Sequence, residues 1–72
     1  MNNIGKFIHT LTLYRDNDRM GGSYGKFYWV ECSGSTIVDR FDIDSRDGDY
    51  AWELAYDRAK RVGAKLVNLS GQ

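Results

Sequence analysis

The side chains in this sequence that could do chemistry are few, and their spacing limits what they can do. Nucleophilic catalysis needs a Ser, Cys or Thr activated by an adjacent base. The sole histidine, His9, and the sole cysteine, Cys32, lie in two separate strand-like stretches. They could be neighbours across a sheet, but a free cysteine more commonly acts as a small buried apolar side chain. One His and one Cys also fall short of the four N or S ligands of a structural zinc site. The acids Asp42, Asp44, Asp47, Asp49 and Glu53 invite comparison with a calcium loop, because Asp42, Asp44 and Glu53 take its first, third and twelfth positions. The fifth position is Arg46, and the sixth, where glycine makes the sharp turn, is Asp47, so the template fails at its centre. A second start at Asp16, Asn17 and Asp18 fails because its twelfth position is Phe27. No phosphate-binding glycine loop, nucleotide fingerprint or paired general acid and base stands out, so no enzyme, cofactor or metal is expected.

Charge distribution is the more informative pattern. Residues 39–53 hold six acids (Asp39, Asp42, Asp44, Asp47, Asp49, Glu53) against Arg40 and Arg46, whereas residues 54–72 hold Arg58, Lys60, Arg61 and Lys65 against Asp57. Acids at a helix N-terminus and bases at its C-terminus complement the macrodipole without any partner. The functional alternative is an acidic ridge that engages a positively charged groove and imitates nucleic-acid phosphates. In that reading Asp42, Asp44, Asp47, Asp49 and Glu53 supply the charge, and Tyr24, Tyr28 or Trp29 supplies an apolar anchor.

The elements that would position these residues follow from periodicity. Ile4 to Tyr14 alternates with period two and predicts a first strand. Arg15 to Lys26 carries Asp, Asn and glycines without apolar period and predicts a long exposed loop, a kind more often functional than idle. Phe27 to Cys32 and Thr36 to Ile43, joined by Ser33-Gly34-Ser35, predict a β-hairpin with aromatics on both faces: Tyr28, Val30 and Cys32 on one, Phe27, Trp29 and Glu31 on the other. After an N-cap at Asp47 or Asp49, a helix is predicted with Trp52, Ala55, Tyr56, Ala59 and Val62 as its apolar stripe. Gly63 is placed as a left-handed C-cap, and Ala64 to Leu69 as a closing strand. The expectation is an α+β fold in the order β-β-β-α-β: an antiparallel sheet of three or four strands with one helix on one face.

Seventy-two residues leave room for one domain, and 42% hydrophobic content supplies the apolar area to fold it. A single cysteine excludes an internal disulfide and fits a reducing cytoplasm. The start lacks the basic and apolar runs of a signal peptide, and no apolar stretch reaches membrane-spanning length. Ten basic residues balance ten acidic ones, so no global field draws nucleic acid or an anionic membrane. A homodimer is the stabilising device left open to so short a chain.

Two resemblances bear on function. Ala55-Tyr56-Asp57-Arg58-Ala59, with Gly63 and Asn68 following a hairpin, resembles the helix and closing segment of the plant ethylene-response type of DNA-binding domain, a fold shared with phage integrase arms and homing nucleases. That likeness spans about residues 24–69. It implies a sheet that enters the major groove, with Lys26, Tyr28, Trp29 and Arg40 meeting DNA. Asp39, Asp42 and Glu31 on the same sheet oppose phosphate. In size, balanced charge and a single sheet with a single helix, the chain is also similar to small phage and mobile-element inhibitors of host defence, including anti-CRISPR proteins. This implies a non-enzymatic inhibitor that covers a basic nucleic-acid or partner site of a bacterial defence nuclease complex. That is the leading expectation, and direct DNA binding is the alternative.

Overall fold

A computed structural model of the protein describes residues 7–16 and 25–70. Its elements run β1 (Thr10–Arg15), β2 (Phe27–Ser33), β3 (Thr36–Asp42), α1 (Gly48–Val62) and β4 (Lys65–Asn68). The fold is α+β, with the expected element order and one helix. The sheet order is β3-β2-β1-β4. β1 pairs antiparallel with β2, and β2 with β3, but β4 lies parallel to β1. The sheet is therefore mixed rather than purely antiparallel. The cause is the crossover: α1 carries the chain from the β3 edge over the sheet to the far side of β1, which only a parallel entry satisfies. Among the described residues the first strand begins at Thr10, so residues 7–9 of the predicted strand precede it, and residues 4–6 of that expectation lie outside the described residues.

The hairpin between β2 and β3 turns at Gly34, whose φ of 63° suits glycine. His9 braces this turn: its Nδ1 accepts the Gly34 N–H at 3.0 Å, while its own backbone N–H donates to the Cys32 carbonyl at 2.8 Å. The register shifts between Glu31 and Cys32, leaving Val38 as the extra residue of a bulge.

Alternation on the two central strands aims Leu11, Leu13, Phe27, Trp29 and Glu31 at the helix, and Tyr14, Tyr28, Val30 and Cys32 at the opposite face. The helix answers with Ala51, Ala55 and Ala59, all buried. Ala55 and Ala59 are buried as predicted and Ala51 joins them, but Trp52 and Tyr56 of the predicted stripe lie exposed, which corrects it in part. Ala at i, i+4 and i+8 is as regular a stripe as the aromatic one beside it. The bulky Leu, Phe and Trp side chains on the sheet leave depth only for methyl groups between the layers. Leu54 and Leu66 close the margins of the core, and Ile43 enters it just after β3.

Both helix ends follow the sequence. Asp47 is the N-cap and accepts the backbone N–H groups of Asp49 and Tyr50. Gly63 at φ 75° ends the helix, its N–H bonded to the Ala59 carbonyl. No helix among the described residues is long and apolar enough to cross a membrane.

Candidate functional site

The five acids of the predicted ridge do not form a common free surface. Asp42 is bound by Arg40 Nε at 3.0 Å, and the same guanidinium lies 3.9 Å from the centre of the Tyr28 ring. Asp44 takes the ammonium of Lys26, a contact that holds its carboxyl below the usual carboxylate range. Asp47 is spent on the helix cap. The ridge is thus mostly compensated within the chain, and of its five acids only Asp49 and Glu53 stand exposed with neither an ion pair nor a side-chain hydrogen bond among the described residues. Sequence reading could not foresee the Lys26–Asp44 pair, which the pairing of β2 with β3 brings together across 18 residues, whereas Arg40 and Asp42 stand two apart on β3 and share a face by alternation alone.

The predicted anchors also change. Trp29 is 3% exposed, lodged under the helix, with its ring edge-on to Phe41. It therefore serves the core and not a contact surface. Tyr28 is half-buried on the open face, stacked against Tyr14 with centroids 5.2 Å apart and capped by Arg40 on its other side. Tyr24 lies outside the described residues. So does most of the expected Arg15 to Lys26 loop, whose base is closed by the Asp16 N–H donating to the Lys26 carbonyl at 2.9 Å.

Chemistry within the described residues is equally constrained. The Nδ1 lone pair of His9 is engaged by the Gly34 amide, so the imidazole is turned to the hairpin rather than to the thiol of Cys32. No three His, Cys, Asp or Glu side chains among the described residues converge where an ion could sit. A cleft of about 260 Å³ lies between Phe27 and Ile43, rimmed by Asp16, Asp42 and Asp44 together with Lys26 and Arg40. Asp42 and Asp44 are paired with Arg40 and Lys26, and Asp16 is the one acid of the rim with no ion pair among the described residues.

The residues that sequence reading missed are on the solvent side of α1. Tyr50 is 50%, Trp52 41% and Tyr56 53% exposed, and the Trp52 and Tyr56 rings stack with centroids 6.2 Å apart. A shallow depression runs among Trp52, Glu53, Leu54, Tyr56 and Asp57. The helix is tied to the sheet behind this surface by Arg58, which binds Glu31 through Nε at 2.7 Å and through a terminal nitrogen at 3.1 Å. The signal that could have revealed the surface was the competing alanine stripe, which leaves three aromatics of one helix with no core to enter. Comparison with known proteins adds no further constraint: no family model, no curated protein and no solved structure matches the chain.

Proposed function

We propose that this chain is a non-enzymatic protein-binding module whose contact surface is the solvent face of α1. The observation that carries this reading is the exposure of the stacked Trp52 and Tyr56 rings beside Asp49 and Glu53. Tyr and Trp are the residue types that dominate binding energy at protein interfaces, and a stacked pair of them on the solvent side of one helix exceeds what a solvated face requires. The two carboxylates select a partner with basic character. In its more specific form the proposal is a phage-type anti-defence inhibitor that covers a basic site of a bacterial nuclease complex, with Asp49 and Glu53 steering the encounter. The sheet offers little for direct DNA binding, because Arg40 and Lys26 are tied to Asp42 and Asp44.

The test compares affinity capture from a bacterial lysate by the wild type and by the Trp52→Ala/Tyr56→Ala double variant. Proteins retained by the first and lost by the second are expected, with identities read by mass spectrometry. Identical captured sets, or a steeply salt-dependent gain of anisotropy on random duplex DNA, would overturn the reading.

A further inference from the structure

Resting on the helix-face reading, we infer that this face binds a second copy of the chain, with the two helices antiparallel. Asp49, Glu53, Tyr56 and Lys60 follow one another at i, i+4, i+7 and i+11, a spacing that puts them on a single helical stripe. All four are exposed, and Asp49, Glu53 and Lys60 have no ion pair among the described residues. Read along the helix the stripe is acid, acid, phenol, base. A base for Asp49, Lys60, and a hydroxyl donor for Glu53, Tyr56, are thus present on the chain itself, in the second half of the helix.

A two-fold axis between Leu54 and Ala55 sets Asp49 against Lys60 of the second copy, and Glu53 against Tyr56 of the second copy. Each pairing occurs twice by symmetry, which is what an isologous interface demands. The phenol O–H of Tyr56 is then a donor for the Glu53 carboxylate, and the helix dipoles oppose. A parallel arrangement instead places acid on acid. Trp52 flanks the stripe, stacked on Tyr56, and supplies apolar area. The stripe from Asp49 to Lys60 is only about 16 Å long at 1.5 Å per residue. An interface built on it falls at the low end of size, below about 1,200 Å², and its affinity belongs with weak, reversible dimers.

Sedimentation equilibrium of the full chain at low salt, over a series of protein concentrations, tests this directly. A monomer–dimer equilibrium is expected. Lys60→Glu and Asp49→Lys should each weaken it by about tenfold, and the two combined should restore it to within about threefold. Each changes an exposed side chain, and circular dichroism verifies that the fold is kept. A monomer at every concentration, or a dimer indifferent to Lys60→Glu, overturns the second copy as the occupant. If the chain is monomeric while Tyr56→Ala still abolishes capture of a lysate protein, the second copy falls and the helix-face reading survives. If Tyr56→Ala changes neither dimer nor capture, both fall.

Discussion

At the scale of single residues, the most consequential group is Glu31, a carboxylate on a core-facing position with 3% exposure. Burying an unpaired charge there would cost several kcal/mol. Arg58 offsets the cost with a two-pronged contact, and the Trp29 indole N–H donates to the same carboxylate at 3.0 Å. The Arg58 hydrogen bonds hold the Glu31 carboxyl below its ordinary value of 4.5, against the opposing effect of burial, and the Trp29 bond adds to the depression. The sign for stability follows. A carboxyl whose folded value is depressed stabilises the fold fully above the unfolded value, and that contribution is lost as pH falls through the folded value. Urea midpoints of the wild type should therefore fall as pH drops below about 4.5, and those of Glu31→Gln should fall less. Near neutral pH, Arg58→Ala leaves the buried carboxylate without its main partner. Because Arg58 is itself partly exposed, the loss should be about 2 kcal/mol rather than the larger figure for a sealed pair. An Arg58→Ala protein as stable as the wild type in urea would refute this account.

At the scale of elements, the caps, the hairpin turn and the strand alternation were legible because each rests on local chemistry: Asp47 before the helix, Gly63 after it, Gly34 at the turn. Two features were missed in whole or in part. The direction of β4 depends on where the crossover lands, which no run of residues encodes by itself. The buried stripe of α1 was read only in part, with Ala55 and Ala59 placed on it but Trp52 and Tyr56 set where Ala51 belongs, because the aromatics outscore alanine in hydrophobicity while the limiting quantity is the space left by Phe27 and Trp29. That account makes a prediction: Ala55→Leu, though more apolar, should destabilise the fold by about 1–3 kcal/mol through overpacking, read as a lowered urea midpoint. A neutral or stabilising result would mean the helix can lift without cost. The foot of the loop carries a second steric limit. A Cβ built on Gly25 would stand 1.8 Å from the Asp16 carbonyl oxygen, so the backbone there tolerates only glycine. Gly25→Ala should force the β1 and β2 ends apart, visible as faster amide exchange at Asp16, whose N–H bonds Lys26.

At the scale of the whole molecule, the acidic ridge was the weakest part of what the sequence suggested, because a charge count along the chain cannot show which cations the sheet brings to which acids. Lys26 and Asp44 are 18 residues apart and still bonded, whereas Asp49 and Glu53 are exposed and have no ion pair among the described residues. The core formed instead is small: among the described residues its fully sequestered large side chains are Leu11, Leu13 and Phe27. A domain of this length has a total stability of about 4–10 kcal/mol, so anything that binds only the folded form shifts its melting measurably. A second copy docked on α1 is such a ligand, and its effect grows with concentration by mass action. Raising the protein concentration a hundredfold from near the dissociation constant adds about 2.7 kcal/mol as an upper figure, worth several degrees in melting temperature for so short a chain. The wild type should melt later as it is concentrated, while Lys60→Glu, which sets acid against Asp49 of the second copy, should melt at a nearly fixed temperature across the same range. Equal concentration dependence in the two proteins would place the self-contact elsewhere, and the outer edge of β3, which pairs with no strand among the described residues, would then be the surface to test.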